Sequence, residues 1–166
     1  TVANICARCQ ARVFTVNALP EQISGQLTTF ALSKDDIGYV FRKHGFADRV
    51  VQIYENTRTF KPTDYMPPGS IDFAIVDACH DADFVVSDFR CILPVLSKNA
   101  IVLFHDVHPS MELHLGDSYL ACMYLRKLGF DIQHLSGTWW GVWRGRKMVA
   151  GSSWLEQAGS LLDNLV

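Results

Sequence analysis

The sequence predicts an α/β fold: a mostly parallel sheet with helices on both faces, ending in a C-terminal antiparallel strand pair. Three observations predict it. Short apolar or β-branched runs alternate with helical stretches along the chain. Two of these runs, Ile71–Val76 and Ala100–Phe104, read as strands buried in a parallel sheet. The 166 residues, 49% hydrophobic and 19% charged, suffice for one domain around one core.

The elements follow in order. Thr1–Gln10 is a helical stretch. Arg12–Val16 (RVFTV) is rich in β-branched residues and reads as a strand, and Asn17–Gly25 is a loop. Ser33 opens a helix over Lys34–His44, with Asp36 completing a capping-box pattern and Gly45 ending it. Val50–Tyr54 (VVQIY) is the next strand. Thr57–Ser70, with Pro62, Pro67, Pro68 and Gly69, is turn-rich, and Thr57–Gly69 is the segment expected to be flexible. Ile71–Val76 is a strand. Asp81–Leu96 carries apolar residues at helical spacing: Phe84, Val85, Phe89, Ile92, Leu93 and Leu96. Ala100–Phe104 is a strand. Asp117–Leu128 is an amphipathic helix closed by Gly129. Ile132–Leu135 and Trp139–Trp143 pair around Ser136–Gly137–Thr138, and Trp154–Leu165 is a last helix.

Charge and composition exclude several classes. The net charge is −2 with Lys and Arg scattered, so no footprint for nucleic acid exists. No apolar stretch approaches the roughly 20 residues of a membrane span, and no signal peptide opens the sequence. Five cysteines show no disulfide spacing. Cys6 and Cys9 form a lone CxxC, read as two small semi-buried thiols rather than a zinc or redox half-site. Cys79, Cys91 and Cys122 read as core thiols. The setting expected is reducing and cytoplasmic.

The chemistry gathers in Ile71–His108. Its two strands each end in groups that bind metals or move protons: Asp77 and His80 after the first, His105, Asp106 and His108 after the second. In open α/β sheets ligands collect at the carboxyl ends of strands, so adjacent strands would bring these residues to one edge. Carboxylates with a neutral imidazole suit Mg²⁺ or Mn²⁺, and Asp77, His105 and Asp106 offer three ligands. The bland alternative is that strand-end aspartates cap the next turn, but Asp81 or Asp83 already serves that purpose. His80 is placed to take a proton from a substrate hydroxyl; alone, it would be a loop histidine bonded to a carbonyl. His44, His114 and His134 read as structural or exposed. Asn17 and Asn56 end the strands before them. Each is a turn former by default, yet Asn17 sits where nucleoside-binding folds grip ribose and Asn56 where a purine edge would lie. Trp139, Trp140 and Trp143 form an aromatic cluster read as packing, with Trp139 as a candidate pocket wall.

With these residues in place, the chain resembles a class I S-adenosylmethionine-dependent methyltransferase, of the small-molecule O-methyltransferase group with D-x-x-H and H-D strand-end turns. The resemblance runs through ARVFTVNALPEQ, ADRVVQIYENTRTF, the whole of Ile71–His108, and GTWWGVWRGRK. It implies a Rossmann-like sheet, seven-stranded in the intact family fold. It also implies S-adenosylmethionine contacts at Asn17 (ribose), Asn56 (adenine side) and Asp77, a divalent cation such as Mg²⁺ at Asp77, His105 and Asp106, and a catalytic base at His80. The reaction implied is methyl transfer to a hydroxyl of a small molecule.

The sequence departs from that family in stated places. No GxG glycine-rich loop occurs before the second strand. The chain therefore reads as a single methyltransferase-like domain over 1–166 that is N-terminally incomplete by about 50 residues. Asn stands at 17 and 56 where acidic residues are usual. Ala78–Cys79 displaces a glycine, and Ser97–Lys98–Asn99 replaces a Pro-Gly-Gly-type turn. A missing strand would leave edges open to pairing with another chain, hence a possible homo-oligomer. Two other classes stay open: a metal-dependent hydrolase using the same five polar residues, and a non-catalytic methyltransferase-like remnant.

Overall fold

The computed structural model describes residues 2–22, 33–108 and 117–145. The fold class is the expected one, a mixed α/β arrangement with parallel and antiparallel pairing. The chain divides into two compact units, Thr1–Phe60 and Lys61–Val166, each with its own sheet.

The first unit holds helix α1 (Val2–Arg8), strand β1 (Val13–Val16), helix α2 (Tyr39–Lys43) and strand β2 (Val50–Ile53). β1 and β2 pair in parallel, Val13 opposite Val50 and Val16 opposite Ile53. Cys6, Phe41 and Val50 form its buried centre. The Arg49 guanidinium donates to the Cys6 carbonyl at 2.6 Å and to the Cys9 and Ala11 carbonyls. Carbonyls at a helix C-terminus lack helical partners and attract a cation, so Arg49 fastens α1 beside β2.

The helix expected from Lys34 starts only at Tyr39. The capping-box bonds do form: Ser33 N donates to Asp36 Oδ2, and Asp36 N donates to Ser33 Oγ, both at 3.3 Å. Gly38 then takes φ +83°, left-handed backbone that ends helical continuity. A Cβ there would lie 2.5 Å from Phe41 Cζ. Gly38→Ala is therefore expected to lower stability by about 1–3 kcal/mol instead of lengthening α2, measured by thermal unfolding.

The second unit carries strand β3 (Ile71–Val76), helix α3 (Ala82–Ile92), strand β4 (Leu96–Phe104), helix α4 (Asp117–Lys127) and strands β5 (Ile132–His134) and β6 (Gly141–Arg144). The sheet order is β3-β4-β6-β5. β3 and β4 are parallel, while β6 runs antiparallel to both β4 and β5. Alternate residues of β4, namely Ala100, Val102 and Phe104, are fully buried in one cluster with Val85 and Phe89 of α3, Leu93 just after it, and Ala121 and Leu125 of α4. This is the two-residue period of a strand whose face is covered by helices. Phe89 is the hub, its ring 5.3 Å from Phe104, 5.0 Å from Phe130 and 5.3 Å from Trp143. β3 is the last strand of this sheet, and Phe73 on it is exposed.

Two expectations are corrected, in β4 and at the cysteines. β4 begins at Leu96 rather than Ala100, taking in Ser97–Asn99 where a turn was expected. Leu96 pairs with Ile71 across a register shift, and Ser97 Oγ donates to Asp72 Oδ1 at 2.7 Å. Thr57–Gly69, expected to be flexible, contains local turns: Thr59 N and Phe60 N donate to Asn56 O, Met66 N to Pro62 O, and Gly69 N to Pro94 O. The cysteines differ too. Cys6 and Cys122 are buried, but Cys9 is exposed and Cys79 and Cys91 are half-buried. Burial pushes the Cys122 thiol up to about 12. The expected helix at Trp154–Leu165, the segment Pro109–Gly116, His114 and Gly25 lie outside the described residues.

Candidate functional site

The parallel register of β3 and β4 sets Val76 opposite Phe104, so Asp77 and His105 leave the sheet side by side. His105 N donates to Val76 O at 3.1 Å, carrying the ladder one step past the strand end. Asp106 then turns the chain with φ +56°, the one non-glycine residue with positive φ among those described. Aspartate tolerates this region better than most side chains, though at some strain. Val107 follows into the core at 3% exposure and donates its N–H to Trp139 O at 3.0 Å. The turn is thus held on both sides of Asp106.

Four predicted residues meet here. His105 Nδ1 lies 3.3 Å from Asp77 Oδ1 and 3.1 Å from Asp106 Oδ1. His80 Nε2 lies 2.9 Å from Asp106 Oδ2. The Asp106 side chain is 6% exposed, against 48% for Asp77, 40% for His80 and 31% for His105. A nearly buried carboxylate needs a positive or hydrogen-donating partner on each oxygen, and Asp106 has an imidazole on each. Donor atoms of Asp77, His80 and Asp106 all lie within 4.8 Å of one another. Two carboxylates at that separation repel by about 3 kcal/mol at an effective dielectric near 20, before solvent screening of half-exposed Asp77 is discounted. A shared proton on an imidazole or a divalent cation relieves this, and oxygen donors with imidazole nitrogen suit a hard cation. The donor set fits such an ion. Cys79, between Asp77 and His80, has its thiol pushed up, chiefly by burial, so it offers no thiolate at neutral pH.

His108 is placed elsewhere. Its ring faces that of His134 at 5.3 Å, and His134 Nε2 is 2.7 Å from Thr138 O. The tryptophans divide as well. Trp143 packs in the core, Trp139 is exposed, and Trp140 lies edge-on to His105 with ring centroids 4.5 Å apart. That last contact is not legible in the sequence, where the cluster reads as packing. Its only sequence signal was aromatic residues flanking the turn before a terminal strand.

Asn17 and Asn56 belong to the first unit. Asn17 N donates to Ile53 O, extending the β1–β2 ladder. Its Oδ1 accepts from Gln52 Nε2 at 2.9 Å and Thr15 Oγ1 at 3.3 Å, which turns its amide N–H₂ to donation. Asn56 organises its loop: Oδ1 accepts from Arg58 N at 3.0 Å, and Nδ2 donates to Gln22 O at 3.1 Å.

The sequence pattern of the methyltransferase domain family matches residues 3–107, more than half of the chain. The chain belongs to the methyltransferase domain family. No curated protein matches this methyltransferase-family chain in sequence. Among solved structures it is similar to the O-methyltransferase NovP, at 12% identity and TM-score 0.60, over 86% of this chain and 63% of that one. It is similar to CalS11, a TDP-rhamnose 3'-O-methyltransferase of calicheamicin biosynthesis, at 19% identity and TM-score 0.53, over 80% and 58%. It also resembles the S-adenosylhomocysteine-bound methyltransferase PaMTH1 of Podospora anserina, at 20% identity and TM-score 0.55, over 83% and 62%. At these identities the structural likeness shows the fold alone. The methyltransferase-family chain spans less than two thirds of each of these three proteins. None of its described helices is long and apolar enough to cross a membrane.

Proposed function

We propose that this methyltransferase-family chain serves methyl transfer from S-adenosylmethionine to a hydroxyl of a small molecule, assisted by a divalent metal. The observation supporting it is the contact of Asp77, His80, His105 and Asp106 at the carboxyl ends of β3 and β4. NovP and CalS11, which share the fold, are O-methyltransferases, and PaMTH1 holds the demethylated cofactor.

S-adenosylmethionine supplies the methyl group, which leaves sulfur for oxygen and yields S-adenosylhomocysteine. Asp77, His105 and Asp106 would hold a divalent cation such as Mg²⁺, whose positive charge would acidify the acceptor hydroxyl. The chain's own residues do the rest. Asp106 Oδ2 fixes the His80 ring through Nε2, which leaves Nδ1 to take the hydroxyl proton. Asp77 and Asp106 would orient the acceptor oxygen through the cation they hold, so catalysis is mainly alignment and charge stabilisation. Asn17 donates its free amide hydrogens to a ribose hydroxyl, without the charge assistance of a carboxylate. Asn56 meets the adenine side through the loop it organises, and Asp77 borders the cofactor. The free thiols fit a reducing, cytoplasmic setting, and the outer edge of β3 is where a second copy would pair.

His80 is close enough to the carboxylates to serve as a ligand instead of a base, and one substitution separates the two roles. His80→Ala is expected to lower kcat by about 100-fold or more, with Mn²⁺ affinity little changed. A large loss of Mn²⁺ affinity would make His80 a ligand. Calorimetric titration of the full chain with S-adenosylhomocysteine tests the reading as a whole, since a non-catalytic remnant shows no heat of binding.

A further inference from the structure

The turn joining β5 and β6 is fastened to the turn that carries the site. Val107 N donates to Trp139 O at 3.0 Å. The next residue, Trp140, sets its indole edge-on to the His105 imidazole, with centroids 4.5 Å apart and planes at 62°. Trp140 is itself anchored on both sides of its backbone: its carbonyl accepts from Leu135 N at 2.9 Å, and its N–H donates to Thr138 Oγ1 at 3.1 Å. The indole is therefore a fixed surface, half-buried, against which the imidazole rests.

That surface has a consequence for His105. The terminal torsion of a histidine side chain is broad and roughly two-fold. Two ring settings, differing in which nitrogen faces the carboxylates, are close in intrinsic energy. In one, Nδ1 addresses Asp77 Oδ1 and Asp106 Oδ1 together, as observed. In the other, a carbon edge faces them and Asp106 Oδ1 loses its donor. Asp77 is too exposed to enforce the choice alone. We propose that Trp140 is a positioning residue: its indole holds the His105 imidazole in the setting that turns Nδ1 toward both carboxylates. Through His105 it acts on cation affinity, and that part rests on the metal reading above; the orientation of the ring does not. Neighbours that orient a ligand histidine are worth about 10- to 100-fold in metal affinity.

The test uses the full chain, its Trp140→Ala and Trp140→Phe variants, and two readouts. The first is metal-free: ¹⁵N NMR of the His105 ring. In the wild type, Nδ1 is expected to carry the proton, since it faces two carboxylate oxygens. Trp140→Ala is expected to yield a mixture of tautomers, and Trp140→Phe to restore the Nδ1–H form. The second is Mn²⁺ binding followed by electron paramagnetic resonance, with Mn²⁺ as the only added species. Trp140→Ala is expected to weaken it about 10-fold or more, with Trp140→Phe recovering most of the loss. A Trp140→Ala variant with lower thermal stability but an unchanged His105 tautomer and Mn²⁺ affinity would show a packing role only and overturn the proposal. Should Trp140→Ala not fold, missing cross-relaxation between indole and imidazole in the wild type would overturn it equally. A wild-type chain that takes no Mn²⁺ sinks the metal reading, and the ring signals then decide the orientation by themselves.

Discussion

Asp106→Asn is expected to reduce divalent-cation affinity by about 100-fold or more and kcat by about two to three orders of magnitude, while the fold survives. Asp106 is 6% exposed, and each of its oxygens meets an imidazole, His80 Nε2 at 2.9 Å and His105 Nδ1 at 3.1 Å. Removing the charge therefore acts on both histidines at once. His80 loses the anion that orients it, and His105 is left between a neutral amide and half-exposed Asp77. The backbone is not asked to change, because asparagine tolerates the left-handed region that Asp106 occupies at φ +56°. Alanine does not. Asp106→Ala should show the same functional loss plus an added destabilisation of about 1–3 kcal/mol from strain. Mn²⁺ binding, single-turnover methyl transfer and thermal unfolding of the two variants side by side make the measurement. If Asp106→Asn keeps Mn²⁺ affinity and rate, the carboxylate is a turn former and the metal leaves the mechanism.

The sequence made the location of this site legible because strand ends are local events. An apolar run such as Ile71–Val76 stops where the sheet stops, and the first polar residues after it have to lie at its edge. The pairing of β3 with β4 then needed only the length of α3 between them. The antiparallel pair at Ile132–His134 and Gly141–Arg144 was legible for the same reason, with Ser136–Gly137–Thr138 marking the turn. The rest depends on partners distant in sequence. β4 extends back to Leu96 because Ile71 and Asp72 are there to pair with Leu96 and Ser97, a match that composition does not encode. α2 is short because one glycine takes a left-handed conformation despite a sound capping box upstream. The left-handed Asp106, the bridge from His105 to both carboxylates and the indole of Trp140 against His105 are all set by contacts across the fold. Residue type marks Asp106 and His105 as candidate ligands, but it does not show that one imidazole touches both carboxylates.

Phe89→Ala should cost about 3–5 kcal/mol of unfolding free energy, the largest stability effect expected in the second unit. Phe89 is 0% exposed and contacts Phe104, Phe130 and Trp143 at ring separations of 5.0–5.3 Å. Truncation removes three edge-to-face or tilted contacts, each worth about 0.5–1.5 kcal/mol, and opens a cavity that α3 closes only by moving in toward the sheet. Phe89→Leu keeps much of the volume and should cost nearer 1.5 kcal/mol. Against a typical total of about 5–15 kcal/mol, the alanine variant leaves little margin, and its denaturant midpoint should fall sharply with the slope unchanged. The consequence for the site follows from chain connectivity. Phe104 is the residue before His105, and Trp143 lies three residues after Trp140, so one aromatic cluster supports both turns that meet at the imidazole. Methyl transfer per folded molecule should fall in Phe89→Ala but by less than in Asp106→Asn, because the carboxylates and their imidazoles are all still present. An equal or greater loss per folded molecule would mean that core packing, and not the charge on Asp106, sets the geometry of the site.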